Sequence, residues 1–84
     1  MTEKGRVFRS EAGRDKGRLM ALVSADGAYV FVCDGKERPL SNPKRKNPRH
    51  LRAYDIRLTD SQMRSDRALR KALAVIEADM RTER

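Results

Sequence analysis

Between Lys36 and Arg52 stand seven Lys and Arg residues (Lys36, Arg38, Lys44, Arg45, Lys46, Arg49 and Arg52) against a single acid, Glu37. The stretch carries +6 of the chain's +8, and residues 1–35 and 53–84 carry +1 each. So local a positive stripe is the footprint of a polyanion binder, because each phosphate met by Lys or Arg releases condensed counterions. Arg adds a planar fork that grips phosphate oxygens in pairs and stacks on bases. Lys44-Arg45-Lys46 is the densest part, set between Asn42-Pro43 and Asn47-Pro48. Asn42, Asn47 and His50 offer hydrogen bonds to base edges or 2′-hydroxyls. Pro39, Pro43 and Pro48 bar a helix here, so residues 34–50 read as a long, semi-stiff basic loop. Exchanging Lys44, Arg45 and Lys46 for Gln is expected to remove about two to three units of salt-dependence slope. The plain alternative is a solvated loop that serves only solubility.

Other chemistry is poorly represented. The chain has one His and one Cys, and its His, Cys, Asp and Glu show no metal-ligand spacing. It contains neither G-x-x-x-x-G-K-[ST] nor G-x-G-x-x-G, and Asp15, Asp26, Asp34 and Asp55 are scattered over turns and strand surfaces. No enzyme, catalytic residue, metal or cofactor is expected. Cys33 lies inside an apolar run and reads as a buried thiol behaving as a small hydrophobe. The aromatic residues Phe8, Tyr29, Phe31 and Tyr54 are all expected in the core, which leaves few platforms for stacking single-stranded bases.

Eighty-four residues allow one small domain, a sheet or barrel plus one helix. Arg6–Ser10 is β-prone, and Glu11–Gly17 is a polar segment holding two glycines, a tight turn. An apolar run over Arg18–Val23 leads into Ser24–Ala28, whose Asp26-Gly27 pair is a hairpin signal. Tyr29–Cys33 lacks any polar break, as in a strand covered on both faces. Tyr54, Ile56 and Leu58 alternate with Asp55 and Arg57 in a half-buried strand over Leu51–Leu58. Thr59-Asp60-Ser61-Gln62 fits a capping box opening a helix from about residue 60 to about residue 81. Its face of Leu69, Ala72, Leu73, Ile76 and Met80 must dock on the β layer or on a second copy, and a monomer is expected over a dimer. Asp60 and Arg64, Asp66 and Arg70, and Glu77 and Arg81 are spaced for surface ion pairs. Arg64, Arg67 and Lys71 lie on the polar face. Neither a signal peptide nor a membrane span is visible, so the cytoplasm is the expected compartment.

The segment Gly5-Arg6-Val7-Phe8-Arg9-Ser10, the turn Gly13-Arg14-Asp15-Lys16-Gly17 and the apolar strand after it resemble a KOW motif: strand, glycine-containing basic turn, strand. With the Asp34-Gly35-Lys36 exit, Pro43-Lys44-Arg45-Lys46-Asn47 and His50-Leu51, the chain is similar to the small bacterial KOW-domain RNA-binding proteins related to archaeal and eukaryotic large-subunit ribosomal proteins. The resemblance reaches to about residue 58. It implies an SH3-like small barrel, mainly β with one C-terminal α-helix. It also implies RNA as the ligand, with Arg14, Lys16, Lys44, Arg45 and Lys46 facing it. The residues alone allow the same: Gly13 and Gly17 let the chain turn tightly and present Arg14 and Lys16 to an anion. The expectation is a single domain, barrel over residues 1–58 and helix over 59–84. Its function would be non-catalytic binding of structured ribosomal RNA or the ribosome. Lys36, Arg38, Asn47, Arg49, His50 and Arg52 complete the candidate surface. A protein-interaction module of a transcription or translation complex, or non-specific DNA binding, are the alternatives.

Overall fold

The computed structural model describes residues 3–82, so the outermost two residues of each expected unit lie outside the described residues. Five strands form one antiparallel sheet: β1 (Arg6–Ser10), β2 (Leu19–Asp26), β3 (Tyr29–Cys33), β4 (Lys44–Lys46) and β5 (Leu51–Arg57). One helix, α1 (Asp66–Thr82), follows. The strand order is β4-β3-β2-β1-β5. The mainly β reading with a single C-terminal helix therefore holds.

Strand alternation divides the apolar residues between two cores. Phe8, Met20, Leu22, Val30, Val32 and Leu51 pack on one face. Val7, Leu19, Ala21 and Cys33 point the other way and meet Leu58, Met63, Leu69, Ala72 and Leu73. Burial on both faces is why β2 shows an apolar run over Leu19–Leu22 rather than alternation; on β3 only Cys33 is buried on the second face, Tyr29 being exposed and Phe31 half-buried. Cys33 is fully buried, and burial, reinforced by the nearby Asp66 and Asp34 charges, pushes its thiol up to about 12. A thiol held protonated in this way is no nucleophile.

β4 pairs with β3, and β5 pairs with β1, so the sheet is not closed by backbone bonds. It is nonetheless strongly curled. Five flat strands would set the two edges about 19 Å apart. Only residues 47–50 join β4 to β5, and Pro48–His50 are wound into a 3₁₀ turn, which advances only about 2 Å per residue. Side chains confirm the curl, since Lys46 on β4 reaches Ser10 at the end of β1, Nζ to Oγ 2.9 Å.

Two boundaries differ from the sequence reading. Gly27 at φ +60° takes the first central position of a two-residue turn, and Asp26 pairs with Tyr29. Ser24–Asp26 thus extend β2 instead of forming the turn, which suits a primed hairpin. The capping box at Thr59 does form, with Gln62 N donating to Thr59 Oγ1 (3.2 Å) and Thr59 N to Gln62 Oε1 (2.8 Å). It closes a single turn, however, and the helix starts at Asp66, capped by Ser65 Oγ, which accepts from Ala68 N at 3.1 Å. Met63 gives the reason. At about 100° per residue a continuous helix would turn it some 120° off the Leu69 stripe, yet it is buried in the same core. The break at residues 64–65 lets it turn inward.

The helix is also clasped by polar groups. Leu40 N donates to Asp66 Oδ1 (2.7 Å), Arg70 reaches the Gly35 carbonyl, and Arg9 pairs with Glu77 at 3.0 Å. Asp66, Arg70 and Glu77 therefore tie the helix to the β layer rather than forming the expected pairs along its surface; Arg81 acts on Glu77 only through space. Gly35 sits at φ +79° with the Asp66 carbonyl against the place a Cβ would occupy. Gly35→Ala should thus cost about 2–3 kcal/mol in urea unfolding. Gly17→Ala, at φ +88° but with nothing within 4 Å, should cost about 1 kcal/mol.

Candidate nucleic-acid interface

The stretch expected as one basic loop is three structures. Residues 34–38 form a turn around the Asp34 carboxylate, Lys44–Lys46 are strand β4, and Pro48–His50 are the 3₁₀ turn. Three prolines did exclude an α-helix, but strand pairing with β3 gives the Lys44–Lys46 amides partners that sequence alone does not show. The loop is thereby shortened, and each cation is given a fixed direction.

Asp34 is buried and accepts from the amides of Lys36 and Arg38, both 2.9 Å, and from Arg18 Nη1 at 2.8 Å. Burial alone would raise its carboxyl; the amide of Arg38, Arg18 and the amide of Lys36 more than offset that and hold it below the usual carboxylate range. Lys36 is exposed and Arg38 half-buried on this turn.

On β4, alternation separates the three cations. Lys46 is 7 % exposed and spends its ammonium on Ser10 Oγ (2.9 Å) and the Ala12 carbonyl (3.0 Å). Lys44 pairs with Asp15 at 2.8 Å. Burial pushes the Asp15 carboxyl up, and the Lys44 and Lys46 charges pull it further down, so it stays ionised at neutral pH. These two lysines lace β4 to the β1–β2 turn. Arg45 points to the opposite face, exposed, its guanidinium 4.7 Å from the centre of the Tyr29 ring.

The remaining cations gather at one end of the sheet. Arg9↔Leu19, Val32↔Lys44 and Ser10↔Leu51 pair there, which brings the β1–β2 turn, the start of β4 and the start of β5 together. Glu11 N donates to the His50 carbonyl at 2.8 Å and fixes the 3₁₀ turn to the β1–β2 turn. Arg14 and Lys16 are exposed on the latter, Arg49 and His50 on the former, and Arg52 on β5, 5.6 Å from the Tyr54 ring centre. Asn47 is occupied as a cap, its Oδ1 accepting from Arg49 N at 3.0 Å. Residues 11–17 and 44–52 hold seven Lys/Arg against two acids. One of those acids, Asp15, is buried against Lys44, so it does not neutralise the exposed arginines.

Sequence reasoning missed two features. Asp15 organises the site from within, and Tyr29 is 40 % exposed rather than in the core. Of the four aromatics only Phe8 is buried; Phe31 and Tyr54 are half-buried. Asp26-Gly27 was the available signal for Tyr29, because a residue beside a hairpin turn lies at the end of the sheet. Among the described residues no three His, Cys, Asp or Glu side chains come together to hold a metal ion. Nor is any helix there long and apolar enough to cross a membrane.

Fold and site together define a small mainly β protein with a curled five-stranded sheet, a clasped C-terminal helix and a strongly basic end. No family model and no curated protein matches the chain.

Proposed function

We propose that the chain is a non-catalytic RNA-binding module, an SH3-like small barrel of KOW type that binds structured RNA, ribosomal RNA above all, through its basic end. The observation that carries this reading is the set of exposed Arg14, Lys16, Arg49 and Arg52 around one end of the sheet, with the neighbouring Asp15 turned inward. Arg14, Lys16 and Arg49 on short turns and Arg52 on β5 have their backbone fixed before phosphates are met, so only side-chain freedom is lost on binding. The curled sheet and the β1–β2 turn are what a KOW-type barrel would need. Lys44 and Lys46 act in this reading as struts that set the angle of the basic end.

Fluorescence anisotropy of a labelled rRNA-like hairpin, titrated at several salt concentrations with duplex DNA as competitor, tests it. Binding that falls steeply with salt and resists DNA is the expected result, because A-form and B-form duplexes space their phosphates differently. Equal displacement by DNA would reduce the basic end to a generic polyanion patch.

A second reading has one observation in its favour. Tyr54, Ile56, Ile76 and Met80 are only partly buried and line a groove between α1 and β5, an edge strand. A protein partner could add a strand there. Release of the bound partner by nuclease treatment separates RNA from protein as the ligand.

A further inference from the structure

Away from the clustered cations, the outer side of β3 and β4 presents a different kind of surface. Tyr29 and Phe31 alternate onto this side of β3, and neither belongs to either buried core. Arg45 lies directly opposite Phe31 in the β3–β4 pairing, and its guanidinium sits across the Tyr29 ring, 4.7 Å from the centroid. Continuing that register by one residue sets Tyr29 beside Asn47, the first residue of the 3₁₀ turn's cap. Tyr29 is thus a 40 % exposed ring carrying a guanidinium on one face and belonging to neither buried core, in a chain that has only four aromatics.

We propose that Tyr29 and Arg45 form a stacking platform for an unpaired RNA base at the hairpin end of β3, joined to the phosphate-binding end by the 3₁₀ turn that begins beside it, a reading that rests on RNA being the ligand. Rings and guanidinium planes stack on the π-face of any base, and the arginine adds its charge to the contact. The charge pattern orients the strand. Asp26 of β2 lies opposite Tyr29 on one side, exposed, and Arg45 lies on the other, with the exposed Arg49 two residues beyond Asn47. Phosphates are thereby repelled from the β2 side and drawn from Arg45 towards Arg49 on the 3₁₀ turn. The platform thus adds to the basic end a preference for RNA in which a single-stranded nucleotide flanks a helix, as at a loop or bulge.

The test uses the full chain with two labelled probes of equal phosphate number, an unstructured RNA strand and a blunt RNA duplex, plus a DNA strand as competitor. Tyr29→Ala is expected to weaken binding of the strand roughly 5- to 150-fold, the range for losing one stacked base, and to leave the duplex unchanged. Tyr29→Phe should retain the strand affinity, which separates loss of the ring from loss of fold. The chain has two tyrosines and no tryptophan, so strand binding should also quench tyrosine emission in the wild type and much less in Tyr29→Phe. Equal loss on strand and duplex, or no loss on either, overturns the platform while leaving RNA binding in place. A DNA strand that competes as well as the RNA strand overturns its assignment to RNA. Failure of the wild type to bind either RNA probe overturns the RNA reading itself, and the platform with it.

Discussion

Replacing Arg14, Lys16, Arg49 and Arg52 together by Gln is expected to remove about three units from the slope of log K against log salt for an RNA hairpin. Each phosphate contact contributes about 0.7–0.9 of a unit, and all four side chains are exposed. Lines of different slope converge towards 1 M salt, so the loss should reach roughly a thousandfold at 0.1 M and vanish near 1 M. Stability should change little, since surface substitutions away from caps and buried pairs usually cost under about 0.5 kcal/mol each. This quadruple variant is a cleaner probe than Lys44, Arg45 and Lys46 to Gln. Lys44 and Lys46 are bonded to Asp15, Ser10 and Ala12, so changing them would loosen the fold as well as the charge. Anisotropy titrations at four or five salt concentrations read the slope, and an unchanged slope would remove the basic end from the RNA contact.

Asp34→Ala should be the most damaging single polar substitution. It would leave the amides of Lys36 and Arg38 and the Arg18 guanidinium without their acceptor. The turn they hold packs on the first turn of α1 through Gly35, so helix docking suffers too. Leaving a buried donor without its acceptor costs about 1–3 kcal/mol, while Arg18 is exposed enough to regain water, and a domain of this size has only about 4–12 kcal/mol in total. Asp34→Asn, which retains one acceptor oxygen, should cost less. Asp34, Asp15 and Glu77 all have carboxyls held below their ordinary range by their cationic and amide partners. Stability that depends on them is complete above the unfolded carboxylate pKa of about 4 and is lost as pH falls through their lower folded values. Urea melts of the wild type should therefore be flat from neutral pH to about pH 5 and fall below pH 4. Asp34→Asn should show a shallower acid limb, and an identical limb would mean that Asp34 is not ionised in the fold.

Cys33 and the Leu69–Met80 stripe show how much of the fold was legible. An unbroken apolar strand and a 3.6-residue period each announce burial locally; Cys33, Leu69, Ala72 and Leu73 are buried where expected, while Ile76 and Met80 at the far end of the stripe are only partly buried. The capping box was equally legible and misleading, because its hydrogen bonds form whether or not a helix continues. Met63 decided that point, through a core that includes β1, β2 and β3. Tyr29 was misplaced for a related reason: aromatic residues are usually buried, and nothing within Tyr29–Cys33 says that the strand's first residue outruns the core.

The sequence by itself determined the positions of β1, β3 and β5 and most of β2, the glycine turns, the burial of Cys33, and a +6 charge confined to residues 36–52, but not strand β4. These depend on the types of near neighbours, which a linear chain displays. Only the tertiary structure decided which cations remain free. Lys44 meets Asp15, Lys46 meets Ser10 and Arg9 meets Glu77 across 29, 36 and 68 residues of chain. A side chain's availability depends on partners that the curl of the sheet brings to it, and no local pattern records that curl.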